Sequence, residues 1–297
     1  MNLENLIPAE RIKYKEPMKD HTTFRIGGPA DILVMPASVS EIMQIMEWVR
    51  ERSMPYLVIG EGSNLLVRDG GFRGLVIKLG DSFNKVEFSG IEVKAQAGIK
   101  VSQLAAMAAD KGLGGLEFAE GIPGSLGGAV YMNAGAYGGE FSQVVKEAAV
   151  LNDAGETILM DRSDLEFGYR SSSIQRYGYT VLEVTLMLHP RESHLIKERM
   201  QELSRQRKER QPLEFPSAGS TFKRPPGRFV GPMIDELGLK GFRVGDAEVS
   251  TKHAGFIINR GQATARDVLA LVSLIKQRVK AEYGIELETE FLIVGED

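Results

Sequence analysis

Cysteine is absent from the 297 residues. That excludes disulfides, thiolate-bound zinc or iron–sulfur centres and cysteine nucleophiles, and it fits a reducing compartment. Histidine is nearly as scarce: His21, His189, His194 and His253 are scattered, no two of them four residues apart, so a histidine-rich metal site is not expected. An excess of one charge is missing too, since 36 Lys and Arg against 40 Asp and Glu leave −4. Such a balance argues against a nucleic-acid surface. No run of 18 apolar residues occurs, and the opening stretch MNLENLIPAERIKYKEP lacks the apolar core of an export signal. A cytoplasmic protein is expected, with no membrane insertion and no obligate protein partner. Two sequence signatures are also lacking: GxxxxGK[ST] for a nucleoside-triphosphate loop and GxSxG for a serine-hydrolase elbow.

What the chain has in excess is glycine, 33 residues or about 11% against roughly 7% in average usage. Residues 27–178 carry 23 of them, residues 179–218 none, and ten follow from Gly219 onward. Within the glycine-free stretch, RESHLIKERMQELSRQRKERQP (191–212) places Leu195, Ile196, Met200 and Leu203 at helical spacing among charges. It reads as an exposed amphipathic helix ending before Pro212. It marks a junction between a glycine-rich region, residues 1–190, and a carboxyl-terminal domain, residues 191–297.

Local patterns point to α+β architecture. Ser38 and Glu41 form a capping-box pattern ahead of Ile42, Ile45, Met46 and Val49. Short strand-like runs follow at 56–60, 65–67 and 74–79. A hairpin is expected over 85–98, turning at Ser89-Gly90, then a helix over 101–111, a second hairpin turning near 153–155, and a strand over 180–188. Near the carboxyl terminus Thr264 caps a helix with the stripe Val268, Val272, Ile275 and Val279, stopped by Gly284. A strand over 285–294 is expected after it, with Glu286, Glu288 and Glu290 on one face.

Two glycine loops carry most of the signal. Gly60-Glu61-Gly62-Ser63-Asn64 follows a strand, and its glycines allow backbone N–H groups to converge on an anion. It is not a Rossmann fingerprint, because Leu65 replaces the third glycine and the loop runs into another strand-like segment instead of a helix. The second loop, Gly112–Gly139, has ten glycines in 28 residues. One reading is a backbone wrapped around an extended polyanionic cofactor, with Gly121, Ile122, Gly124, Gly128 and Gly135 in the wall and Ser125 and Asn133 as side-chain donors. The other is a set of tight turns at the rim of a sheet.

The motifs FRIGGPADILVMP (24–36), IGEGSNLLV (59–67), GIPGSLGGAVYMNAGAYG (121–138), YRSSS (169–173), SAGSTFKRP (217–225) and ETEFLIVG (288–295) occur in that order. Together they resemble the UDP-N-acetylenolpyruvoylglucosamine reductase family. The resemblance implies an FAD-binding fold of the vanillyl-alcohol oxidase and p-cresol methylhydroxylase type, in two subdomains of roughly 1–78 and 79–190, followed by an α+β substrate domain. It implies non-covalent FAD as cofactor, with NADPH and a UDP-sugar enolpyruvate as small-molecule substrates. Ser220 then matches the proton donor, Arg170 the arginine that meets the substrate carboxylate, and Glu290 the active-site glutamate. Lys223 and Arg224 are expected near phosphates. Arg224 departs from members with asparagine there, and His253 is a weaker substrate-pocket candidate. Ten residues separate Arg170 from the strand at Val181, too few for the tyrosine-bearing lid of longer members, so the chain resembles the shorter subclass. Two other readings share the glycine loops: a flavin oxidoreductase of the same fold acting on an alcohol or lactone, and a redox-inactive sugar-nucleotide-binding protein.

Overall fold

The computed structural model describes residues 2–297. By compactness the chain forms two units that interleave along the sequence. The first comprises the chain up to Lys13, Ile32–Glu61 and Leu75–Arg207; the second comprises Tyr14–Asp31, Gly62–Gly74 and Lys208–Asp297. The physical reason is burial: Phe24, Ile26 and Leu66, early in the chain, share an apolar core with Val268, Ile275 and Phe291.

The first unit is built on a five-stranded antiparallel sheet in the order Thr157–Asp161, Val145–Leu151, Thr180–Met187, Glu92–Gln96, Val86–Ser89. The central strand Thr180–Met187 is buried on both faces along most of its length, and the helix Leu126–Tyr131 packs over it. The first hairpin pairs Ser89 with Glu92, so its turn is Gly90-Ile91, one residue beyond the expected place. Gly90 takes the left-handed position at φ +59°, which a glycine accepts without strain. Tyr56–Ile59 runs parallel to Phe72–Lys78 through pairs from Tyr56 with Leu75 to Ile59 with Lys78.

The helix Val39–Glu51 buries Ile42, Ile45, Met46 and Val49, the expected stripe, and Ser38 Oγ accepts the Glu41 N–H at 3.2 Å. The Glu41 carboxylate does not return to Ser38. It accepts from the Ala37 N–H at 2.7 Å and from both Arg11 nitrogens at 2.7 Å, because a planar guanidinium matches two carboxylate oxygens at once. The helix Ser193–Arg210 ends before Pro212 and buries Ile196, Met200 and Leu203, while Leu195 lies off the stripe and is exposed.

In the second unit the helix Ala265–Tyr283 carries a full capping box between Thr264 and Asp267 and stops at Gly284, φ +68°. It packs on Val230–Glu236 and Ala247–Val249, the latter central in a three-stranded sheet with Arg243–Val244 and Ile257–Asn259. The expected long strand over 285–294 is mostly not a strand. Only Leu292–Val294 pairs, in parallel with Leu65–Val67, and an isolated bridge joins Thr289 to Phe222. Alternation there reflects side-chain placement without a ladder. Leu287 enters the core while Glu286 and Glu288 reach Lys280 and Lys223. Glu290 is half-buried, unlike those two. Among the described residues no helix is long and apolar enough to cross a membrane.

Hydrogen bonding to Arg11 holds the Glu41 carboxyl below its ordinary range, against the opposing effect of burial. A depressed folded-state pKa adds stability above the ordinary carboxylate value, and that stability is lost as pH falls through the folded-state value. Glu41→Gln is therefore expected to lower unfolding free energy by about 1–3 kcal/mol at neutral pH. Its difference from the parent should shrink below about pH 4. Urea denaturation across pH checks both.

Candidate active site

The strand Tyr56–Ile59 delivers Gly60 and Glu61 against the second glycine loop within the first unit. A Cβ on Gly60 would lie 1.9 Å from Ser125 Oγ, so no other residue fits without displacing that loop. Glu61 Oε2 stands 3.8 Å from Lys100 Nζ, and Lys100 itself bridges Ser125. Val101 N–H donates to Gly124 O at 3.0 Å and Leu126 N–H to Ile99 O at 2.8 Å. Ser125 Oγ, buried, accepts the Gly128 N–H at 3.4 Å and caps Leu126–Tyr131. Gly121 has φ +72° and lies against the Arg207 side chain, whose Nη1 donates to Glu120 O at 3.2 Å. Ile122 packs on the unit's core. Arg207 escaped the sequence reading because it sits in a helix crowded with charges. Burial pushes its guanidinium below the ordinary value.

Asn133, Gly135 and Arg170 meet on the same unit. Asn133 is 1% exposed and left-handed at φ +44°. Its Nδ2 donates to Gly168 O at 3.0 Å and its Oδ1 accepts the Ser142 N–H at 2.9 Å, so its amide joins three loop segments from inside. Gly135 is confined because a Cβ there would come within 2.6 Å of Gly139 O. Its carbonyl accepts from Arg170 Nη2 at 3.2 Å. Arg170 is itself left-handed, φ +53°, at the tip of a turn closed by reciprocal Gly168 and Ser171 bonds. A non-glycine residue held there is strained, as side chains at functional sites often are. Its guanidinium lies 5.2 Å from the centre of the exposed Tyr169 ring. After it, one short helix, Ser173–Tyr177, and Gly178 lead straight into Thr180–Met187.

In the second unit Gly62 turns at φ +62°, where a Cβ would strike the His21 carbonyl, and Ser63 and Asn64 continue the turn, half-buried. Asn64 Nδ2 donates to Glu290 O at 3.1 Å, and Asn64 O accepts the Leu292 N–H at 2.9 Å. Thr221 O accepts the Glu290 N–H at 2.9 Å, and Lys223 N–H donates to Glu288 O at 2.9 Å. That pairing brings Ser220, exposed beside Thr221, next to the 290–291 backbone. Lys223 Nζ pairs with Glu288 at 3.1 Å, and Arg224 stacks 4.2 Å from the Phe229 ring centre. His253 Nδ1 accepts the Gly255 N–H at 3.1 Å, which assigns the neutral ring's proton to Nε2. Burial lowers its pKa, and Gly255 O in turn accepts the Thr221 N–H at 2.9 Å. His253 thus supports the Ser220 loop from behind.

The comparisons with known proteins agree with this arrangement. Residues 30–161 match the family model described as FAD binding domain. Residues 211–294 match that described as UDP-N-acetylenolpyruvoylglucosamine reductase, C-terminal domain. A solved alkyldihydroxyacetonephosphate synthase, 16% identical, aligns over 63% of this chain and 39% of its own with a TM-score of 0.50, a likeness of fold alone. The architecture is the FAD-binding fold of the vanillyl-alcohol oxidase type with an added carboxyl-terminal α+β domain. The relatives are more specific. The UDP-N-acetylenolpyruvoylglucosamine reductase of Syntrophomonas wolfei subsp. wolfei is 51% identical over 293 residues, 99% of this chain and 98% of that one. Its counterpart in Clostridium tetani is 51% identical over 296 residues, covering 100% and 96%. The crystal structure of the Thermus caldophilus enzyme superposes with a TM-score of 0.81 at 42% identity, covering 93% of this chain and 97% of that one. The chain belongs to the UDP-N-acetylenolpyruvoylglucosamine reductase family.

The first glycine loop fits an FAD pyrophosphate on its own chemistry. No hydrogen bond from the backbone N–H groups of residues 60–64 to another protein group is present among the described residues. Such amides are the donors an anion needs. Gly60→Ala is expected to weaken FAD binding at least tenfold. Gly80→Ala, whose Cβ would meet only Lys78 Cε at 3.8 Å, should leave it unchanged. Flavin retained after purification and titration of the apoprotein measure both.

Proposed function

We propose that this chain reduces UDP-N-acetylglucosamine enolpyruvate to UDP-N-acetylmuramate, using bound FAD and NADPH, as a cytoplasmic step toward peptidoglycan. Full-length identity of about half to reductases of that name supports the substrate. The observation that supports the chemistry is local: the bond from Glu290 N–H to Thr221 O joins the backbone of the Ser220 segment to that of the Glu290 segment. The reaction needs small molecules only, and nothing in it calls for a nucleic acid or a partner chain. Residues 1–190 are assigned to the cofactor, in subdomains of roughly 1–78 and 79–190, and residues 191–297 to the substrate.

FAD, when bound, supplies hydride transfer between the nicotinamide and the enolpyruvyl double bond. Gly60, Glu61, Gly62, Ser63 and Asn64 hold it from one loop; Gly121, Ile122, Gly124, Ser125, Gly128 and Gly135 wall the other, which Asn133 braces from within. Hydride addition leaves negative charge on the substrate carbon that bears the carboxylate. Arg170 receives that carboxylate and the charge delocalised into it, a match for its planar fork. Ser220 gives its hydroxyl proton to the carbon, a transfer that positioning makes efficient. Glu290 acts by orienting a water beside the developing charge. Lys223 and Arg224 meet the phosphates of the nucleotides. His253 acts through the Gly255–Thr221 contact, holding the wall of the substrate site.

The test is anaerobic. The protein is reduced with NADPH, the enolpyruvyl sugar nucleotide is added, and the return of flavin absorbance near 450 nm is followed. Colour should return in the parent. Ser220→Ala should slow that phase by about 10²–10⁴-fold while NADPH still reduces the flavin. A parent that stays bleached sinks the substrate assignment; parent-like return in Ser220→Ala sinks the proton donor.

A further inference from the structure

The Ser220 side chain is exposed, so its position is decided by the backbone that carries it and not by packing. Downstream, Thr221 anchors that backbone through Gly255 O, Ile257 N–H and Glu290 N–H. Upstream, the chain turns at Gly219, φ +76°, whose N–H bonds only back to Ser217 Oγ at 3.4 Å. The tether nearest that turn is Thr23, which holds Ser217, one residue beyond Pro216. Its hydroxyl donates to Ser217 O at 2.8 Å, a bond spanning 194 positions of sequence. The backbone N–H of the same residue donates to Gly62 O at 3.4 Å. One side chain therefore reaches the proton-donor loop while its own amide touches the cofactor loop.

Thr23 stands on a fixed base. His21 is buried with Nε2 2.8 Å from Glu16, and Thr22 Oγ1 donates to Ile26 O at 3.1 Å. Phe24 O accepts from Asn259 Nδ2 at 3.2 Å, and the Phe24 ring meets Phe291 edge-on at 6.3 Å. Asn259 N–H closes the frame on Pro216 O at 2.9 Å. We infer that Thr23 is a positioning residue, holding the Ser217–Gly219 turn in register with Gly62 so that Ser220 is presented at a set distance from the cofactor loop. The inference rests on Ser220 being the proton donor.

Thr23→Val keeps the branched shape and the amide but removes the hydroxyl donor. Substrate-driven flavin reoxidation is expected to slow about tenfold, since small misplacements of a catalytic group carry losses of that order or more. NADPH reduction and FAD affinity should stay at parent values. Thr23→Ser should restore the parent rate, and it supplies the decision if the valine variant does not fold: a slow Thr23→Ser overturns the proposal. In a Ser220→Ala background Thr23→Val should add no further slowing, because two changes acting through one group are not additive. Amide exchange in the apoprotein gives a readout apart from activity. Exchange over 217–220 should quicken about tenfold in Thr23→Val while 255–259 is unchanged. Parent-like reoxidation in Thr23→Val beside a slowed Ser220→Ala overturns the positioning role and leaves the proton donor standing. Equal slowing of both half-reactions, or additive slowing in the double variant, also overturns it. If Ser220→Ala itself reoxidises normally, the underlying reading has failed instead.

Discussion

The Gly60 backbone lies so close to the Ser125 hydroxyl that a single methyl group would overlap it, and the two glycine loops are arranged around that approach. Ser125 is not free to yield. Its side chain caps the helix Leu126–Tyr131, its backbone bridges Lys100, and the helix behind it is pressed onto Ala97, where a Cβ on Gly127 would come within 2.8 Å of the Ala97 methyl. Glycine at 60 and 127 therefore transmits the position of the five-stranded sheet to the first glycine loop. At these positions the surplus of glycine is a surplus of backbone proximity.

The second unit solves a different problem with hydrogen bonds in place of close packing. Thr221 spends its amide and hydroxyl on one segment, at 255 and 257, and its carbonyl on another, at 290. The side chains of Asn64 and Asn259 do the same for Glu290 and Phe24. Short polar side chains tied to distant backbone groups hold irregular chain in one conformation, where a strand ladder would have left no room for Ser220 to stand clear. Within the expected 285–294 strand the Glu290 amide is committed to Thr221 O, outside any strand.

Much of the fold was legible from local pattern. The helices at 39–51 and 265–283 are visible in their caps and apolar stripes, because capping and amphipathic spacing are short-range physics. The motifs also brought Arg170, Ser220 and Glu290 to attention. Asn133 shows where such reading stops. A polar residue in a glycine-rich loop looks like a ligand donor, yet both ends of its amide are used by Gly168 and Ser142, partners 35 and 9 positions away. Arg207 is the converse, indistinguishable in sequence from its charged neighbours yet half-buried against Gly121.

By itself, then, the amino-acid sequence determined the chemistry available and the local elements. Without cysteine there is no thiol chemistry, clustered glycine sets where the backbone turns tightly, and the motifs place the chain in its family. Tertiary structure alone decided how the chain is divided and which groups meet. Tyr14–Asp31 and Gly62–Gly74 join the carboxyl-terminal core because Phe24, Ile26 and Leu66 are buried there. Thr23 finds Ser217, and Glu41 chooses Arg11 over its own helix cap. Each of these is a contact between residues far apart in sequence, set by burial and geometry that no local periodicity encodes.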